Sequence, residues 1–365
     1  MLISTKLKQA VRFIYQAARS RTPRVAYIGG WSGHSNLGDE ALSLAVRSLF
    51  SSASFVDYPR GLELGFSKRF LSRIQLGILA GGTLIGPKIG ATDYARKLLT
   101  ECPCPVVFGT GVVHPDQKFT GPKFYAWPQW GRIWTEVLKS CRYVGVRGPL
   151  SAEVLVDCGL DLPEVIGDPV LFFAEDRPPI DSACRPNTIG LNIGQTSGFM
   201  WGDPENLSKQ YIELASVAKK SGWQVKWFVV WPKDMPVTKR AAVASGTDEK
   251  IYRVYHNPSK FLDLIKQVTV FVGMKLHSVI LASCAYVPSI MVEYQTKCRD
   301  YMMAVDQQQF CVRPDVLNIG ELWEKIRFIG ARRREFSDNL FRKVQQLRNR
   351  QFARADELSR KYLNT

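Results

Sequence analysis

The sequence predicts an α/β protein built from two Rossmann-like, doubly wound parallel-sheet domains. Three observations carry that prediction. Short β-branched runs alternate with amphipathic segments along the chain, as in sheets joined by crossover helices. The alternation stops at a polar stretch, 176–187, that carries Pro178, Pro179 and Pro186, and then restarts. A length of 365 residues suits two domains of ordinary size. With 45% hydrophobic and 22% charged residues, a disordered chain, a collagen and a coiled-coil rod are all excluded.

Residues 1–23 form the first predicted element. Ile3, Leu7, Ala10, Val11, Ile14 and Ala18 fall on one stripe of a helix, with Lys8, Arg12, Gln16 and Arg19 opposite. A basic amphipathic helix of this kind either lies on an anionic membrane surface, docks on its own protein, or serves as an organelle-targeting segment. It lacks the continuous apolar stretch of a secretory signal. In the first domain, 24–175, strands are predicted over 24–29, 76–80, 106–109, 143–146 and 165–166, and helices over 40–50, 91–99, 130–139 and 150–158. The linker is 176–187. In the second domain, 188–330, strands fall over 188–193, 224–230, 251–254, 269–272 and 289–292. Helices there fall over 207–221, 237–244, 258–265, 276–285 and 320–328. Residues 331–365 read as a long basic helix in which Phe336, Leu340 and Val344 recur at helical spacing, for packing or for dimerisation. The two domains are expected to face each other across a cleft.

The formal net charge is +16, and it is concentrated at the ends. Residues 1–24 carry six basic residues and no acid. Residues 331–365 carry eight Arg and two Lys against four acids, a net of +6 at each end. An anionic partner is therefore expected, but no zinc-finger, RNA-recognition or helix-turn-helix signature points to nucleic acid. Eight cysteines show neither a disulfide framework nor metal-ligand spacing, so ordinary reduced thiols and no metal are expected. No segment reaches the ~20 apolar residues that would span a bilayer. These features place the chain in the cytoplasm, either free or peripheral on the inner membrane face.

Candidate chemistry sits where strands run into helices, because ligands in doubly wound sheets bind at the carboxyl ends of strands. The first strand leads into Gly29–Ala41, a Gly-rich turn carrying His34, Ser35, Asn36, Asp39 and Glu40. It has neither GxGxxG nor P-loop spacing, so a dinucleotide or ATP reading is weak, and Asn36 or Asp39 would also serve as a helix cap. The turns Gly81-Gly82-Thr83 and Gly109-Thr110-Gly111 follow later strands and let backbone N–H groups approach a ligand. Arg147 ends a strand just before Pro149, well placed either to grip a carboxylate or phosphate or to make a structural ion pair with Asp168. Lys275 and His277 open a mostly apolar helix after Gly273. The helix start favours an anion, and a histidine there suits acid–base work. Tyr294 and Lys297 follow the next strand, and His256 reads as structural.

Taken in order, SNLGDEA, AGGT, GTGV, VRGPLSAEVL, GDP, IGLNIG and GMKLHS make residues 24–312 resemble the polysaccharide pyruvyl transferase family. The resemblance implies a GT-B-like fold and transfer of the enolpyruvyl group of phosphoenolpyruvate onto two hydroxyls of a sugar, forming a pyruvate ketal and releasing phosphate. It implies no cofactor, phosphoenolpyruvate being a co-substrate, and a saccharide acceptor that is polymeric, nucleotide-linked or lipid-linked. By motif match, His277 is the catalytic histidine and Arg147 and Lys275 bind the donor's anionic groups, with Leu276 and Ser278 placed on the donor side. Asp39, which would also serve as a helix cap, is expected to orient or deprotonate the acceptor from the opposite lobe. His34, Asn36, Glu40, Thr83, Tyr294 and Lys297 are placed on the acceptor side. Lys275 stands where the family's GMRLH motif has Arg, a point charge in place of a planar fork. The competing reading is a GT-B glycosyltransferase with a nucleotide-sugar donor. A homo-oligomer fits either reading.

Overall fold

The structure, a computed structural model, describes residues 23–30, 33–57, 74–176, 187–196 and 199–363. The expected N-terminal helix and most of the linker lie outside the described residues. The chain divides into two compact units. One comprises Met1–Gly30, Leu42–Pro169 and Asn349–Thr365, the other Trp31–Ala41 and Val170–Arg348.

The first unit is built on strands β1 (Arg24–Ile28), β2 (Ser54–Asp57), β3 (Leu76–Ala80), β5 (Pro105–Val112), β6 (Tyr143–Val146) and β7 (Glu164–Val165). They lie in the order β2-β1-β3-β5-β6-β7, with the short β4 (Thr83–Ile85) added to β5. Every pairing is parallel. Helices α1 (Leu37–Leu49), α2 (Ile89–Glu101), α3 (Gln129–Leu138) and α4 (Pro149–Asp157) supply the crossovers. β3 and β5 are buried along their whole length, which explains why they read as continuous apolar runs. Leu98, Leu99, Trp130, Trp134 and Leu155 cover the sheet, and Trp134 spends its indole N–H on the Gly86 carbonyl at 3.0 Å.

α1 begins at Leu37 rather than at 40, because Asn36 takes the cap and its side-chain oxygen accepts from the Gly38 N–H at 3.1 Å. β2 and β4 are absent from the sequence reading. β2 is a four-residue edge strand ending in Asp57, and β4 is three residues directly after the Gly81-Gly82 turn, so neither offers a period to detect.

The second unit holds β8 (Thr188–Asn192), β9 (Gln224–Val229), β10 (Ile251–Arg253), β11 (Val270–Gly273), β12 (Ser289–Val292) and β13 (Cys311–Val312), ordered β10-β9-β8-β11-β12-β13. All pairings are again parallel. Its helices are α5 (Pro204–Lys220), α6 (Met235–Ala244), α7 (Pro258–Ile265), α8 (Leu276–Cys284), α9 (Thr296–Ala304) and α10 (Ile319–Ala331). The order reverses between β8 and β11, the position at which a doubly wound sheet opens a crevice for a ligand. α9 is missed by the sequence reading because its segment, TKCRDYMMA, is polar in its first half.

The C-terminal stretch is one 30-residue helix, α11 (Arg333–Tyr362). It is a packing helix. Leu340, Val344 and Leu347 are buried, as are Gln351, Ala355 and Leu358 further on. Ser337 donates to the Tyr286 carbonyl at 2.6 Å, and Gln345 reaches the Glu175 carbonyl at 2.6 Å. Several of its charges are paired within the chain, Lys343 with Asp306 at 2.6 Å, Arg348 with Asp176 at 2.8 Å and Arg354 with Glu164 at 2.7 Å. Gln351 is wholly buried, and its amide N–H₂ donates to the Ile166 and Asp168 carbonyls at 2.9 and 2.8 Å. Replacing it by Leu leaves both carbonyls without that donor. Gln351→Leu is therefore expected to cost about 2–4 kcal/mol, read as a shift in the urea midpoint; a loss below about 0.5 kcal/mol would show the bonds to be dispensable.

Candidate active site

In the second unit, three strand ends converge at the reversal of strand order. β8 ends in Asn192, which is fully buried. Its amide donates to the Phe228 carbonyl at 2.9 Å, and its oxygen accepts from the Lys275 N–H and the Ser278 hydroxyl, both at 3.0 Å. One side chain thus ties β8, β9 and the start of α8 together. Ser278 is fully buried, and its single hydroxyl proton is shared between Asn192 and the Lys275 carbonyl, 2.6 Å away. The Leu276 side chain is buried too. Neither side chain faces outward. What this turn offers a ligand is the backbone N–H groups of the first turn of α8 and the partial positive charge at the helix start.

His277 stands in that first turn, half-buried. Its neighbour is Gly38 of the SNLGDE turn. A Cβ built on Gly38 would lie 2.3 Å from Nδ1 and 2.9 Å from the Cβ of His277, so only glycine fits. The turn is fastened to this unit at further points. The Leu37 N–H donates to the Val230 carbonyl at 3.0 Å, and Glu40 lies 3.8 Å from His256. Glu40 also accepts from the Gly33 N–H at 2.6 Å, closing the loop on itself. Asp39 was expected in the lobe opposite His277. The structure puts it in the same compact unit, one residue after the glycine that touches the histidine. The physical reason is that the turn's own backbone bonds to the end of β9. His34 is exposed on the same loop, and Asn36 is occupied as the cap of α1.

Lys275 is held rather than presented. Its ammonium lies 3.4 Å from the carboxylate of Asp234, donates to the Gln195 carbonyl, and sits 5.2 Å from the centre of the Trp231 ring. Asp234 is fully buried and accepts from the Gln195 N–H at 2.8 Å. Burial pushes the Asp234 carboxyl above its usual range and the Lys275 ammonium below its own, and the attraction between them opposes both shifts. Asn192, Gln195, Trp231, Asp234 and Gly38 carry the geometry here, and none was singled out as a site residue from the sequence. The available signal was position: Trp231 and Asp234 follow β9 just as Lys275 follows β11. Tyr294 and Lys297 lie past the end of β12, with the Lys297 ammonium 4.7 Å from the Tyr294 ring centre and Tyr294 buried.

Arg147 and Thr83 belong to the first unit. Arg147 is fully buried, and its guanidinium donates to the Gly82 carbonyl at 2.9 Å and the Thr83 hydroxyl at 3.3 Å. Its backbone N–H bonds the Thr110 carbonyl at 3.0 Å, and a Cβ on Gly111 would lie 2.1 Å from the guanidinium. The AGGT, GTGV and VRGPL motifs therefore close around one arginine. Gly109, at φ +64°, brings the GDP turn to them: a Cβ there would lie 2.6 Å from the Gly167 carbonyl oxygen.

Among the described residues, no group of three or more His, Cys, Asp or Glu side chains is arranged to hold a metal ion, and the cysteines are free thiols. Nor is any described helix long and apolar enough to cross a membrane.

The sequence profile of the polysaccharide pyruvyl transferases matches residues 36–296, from the SNLGDE turn to the residue that follows the VEYQ segment. The chain belongs to the polysaccharide pyruvyl transferase family. It is accordingly a transferase, and both motif clusters fall within the matched span. No curated protein matches the sequence. Among solved structures it is similar to sucrose-phosphate synthase from Thermosynechococcus elongatus, with a TM-score of 0.57, 12% identity, and coverage of 93% of this chain and 99% of that one. A glycosyltransferase from Rickettsia africae aligns with a TM-score of 0.53 and 10% identity over 93% and 99%. A lipopolysaccharide outer core galactosyltransferase aligns at 0.51 and 11% over 91% and 98%. At these identities the likeness concerns fold alone: two parallel-sheet α/β domains of the GT-B kind.

The Gly38–His277 contact generates a test that needs no substrate. Gly38→Ala should displace the imidazole, shifting the His277 ring resonances in an NMR spectrum and costing about 1–3 kcal/mol of stability. Unchanged resonances would mean that the turn does not define the position of His277.

Proposed function

We propose that the chain transfers the enolpyruvyl group of phosphoenolpyruvate to two hydroxyls of a saccharide in a surface or extracellular polysaccharide or its precursor, yielding a pyruvate ketal and inorganic phosphate. Family membership over residues 36–296 supports the reading, and the observation that carries it is His277 in the first turn of α8. The donor bears a phosphate and a carboxylate, so it needs cations and a helix start, and it needs a proton at its methylene carbon.

In this reading His277 delivers that proton. The cationic carbon so formed takes one sugar hydroxyl, the C–O bond to phosphate breaks, and the second hydroxyl closes the ketal. Each hydroxyl loses a proton in the process. The first N–H groups of α8, at Leu276 and His277, and the Lys275 ammonium meet the departing phosphate, while the Ser278 N–H is kept by the Lys275 carbonyl at 3.0 Å. Arg147 contributes through the Gly81-Gly82-Thr83 turn that its guanidinium shapes. Asp39, beside the glycine that packs on His277, orients or deprotonates an acceptor hydroxyl. His34, Asn36, Glu40, Thr83, Tyr294 and Lys297 are assigned to the acceptor. A lipid-linked acceptor on an anionic inner membrane face would suit the basic N-terminal stretch. A positioned acid–base group is worth ~10²–10⁴ in rate. No cofactor is invoked.

Thermal unfolding with phosphoenolpyruvate, several nucleotide sugars and plain phosphate side by side tests the donor. A ligand at about 100 times its dissociation constant stabilises by about 2.7 kcal/mol. The expected result is a shift with phosphoenolpyruvate that exceeds the shift with phosphate. A shift with a nucleotide sugar alone would replace this reading with glycosyl transfer.

A further inference from the structure

Asp234 has no part in the mechanism above, yet it is the most enclosed charge beside it. It closes the short turn Pro232–Asp234 after β9 and is fully buried. One carboxylate oxygen accepts from the Gln195 N–H at 2.8 Å and lies 3.4 Å from the Lys275 ammonium. The other accepts no hydrogen bond from the described residues. Lys275 is fixed in turn by the Gln195 carbonyl and the face of Trp231. The pair lies directly across the backbone at Gly194, where a Cβ would stand 2.2 Å from Cε of Lys275 and 2.7 Å from Cγ of Asp234. Glycine at 194, the Gln195 amide and carbonyl, and Trp231 thus form a fitted seat for one ion pair.

The consequence is electrostatic. An ammonium 3.4 Å from a buried carboxylate offers an approaching anion much less than a full positive charge, because the two fields largely cancel a few ångströms away. We propose that Asp234 is a positioning residue that holds Lys275 beside the start of α8 and sets how much positive charge this helix start offers a phosphate. The proposal rests on the reading of that helix start as the seat of the donor's phosphate. A moderated charge lets phosphate bind and also leave, which a transferase that releases phosphate in every cycle requires.

The test is the affinity of the full chain for inorganic phosphate, by calorimetry. Asp234→Asn keeps the side-chain shape and the oxygen that accepts from Gln195 but removes the charge. It should tighten phosphate binding by about tenfold or more. The double variant Asp234→Asn with Lys275→Gln should return affinity to the wild-type value or below it. If the Asn variant does not fold, Asp234→Ser takes its place with the same expectation. A purely structural Asp234 would lower stability without tightening binding, and that result overturns the proposal. So does tightening that persists in the double variant, or a wild type that binds no phosphate. A chain that shows the predicted phosphate response but does not use phosphoenolpyruvate would refute the donor assignment and leave the role of Asp234 intact.

Discussion

The second unit depends on one close approach, that of Gly38 to His277. Two helix starts, those of α1 and α8, meet where no side chain but hydrogen fits on one of them. That contact explains several otherwise separate features. The Asn36 cap starts α1 early, the Leu37 N–H reaches across to β9, and Asn192 locks the start of α8 from below. Each is a hydrogen bond with a net contribution of about 1 kcal/mol. Together they fix the backbone of both helix starts on either side of the imidazole, an ordering that the proposed proton delivery by His277 would use.

The family's motifs sort into two clusters, each inside one unit. In the first, AGGT, GTGV, VRGPL and GDP close around the buried Arg147. In the second, SNLGDE, IGLNIG and GMKLHS close around His277 and Lys275. The glycines in both clusters do the same job, admitting backbone or a side chain where a Cβ would collide. Each of three residues assigned to the proposed chemistry has a glycine opposite it: Gly111 for Arg147, Gly38 for His277, Gly194 for Lys275. The buried Arg147 guanidinium, bonded to the Gly82 carbonyl and the Thr83 hydroxyl, shows that a strand-end cation can also shape the turn beside it.

Much of the fold was legible because buried parallel strands leave a strong mark. Strands over 76–80, 143–146 and 289–292, and the helix over 258–265, stand where the sequence predicts them. Edge strands β2 and β13 and the helix α9 were not legible, since β2 ends in Asp57, β13 is two half-buried residues and α9 is polar in its first half, so none shows the apolar run or period of a buried element. Of the site, His277 and Lys275 were readable from their place after a strand. Asp234 and Trp231 occupy the same kind of place after β9 but sit in a turn with no motif to mark it. The membership of the SNLGDE turn in the second unit was not readable at all. It follows from the Leu37–Val230 bond and the Gly38–His277 contact, both of which join residues far apart in the chain.

The central claim is that His277 delivers the proton that starts transfer from phosphoenolpyruvate. The most direct measurement follows phosphate release from phosphoenolpyruvate by ³¹P NMR with a panel of saccharide acceptors, for the wild type and for His277→Ala. The account predicts release that requires an acceptor and falls by ~10²-fold or more in the variant, with the fold preserved. Acceptor-dependent release that persists at the wild-type rate in His277→Ala would contradict it.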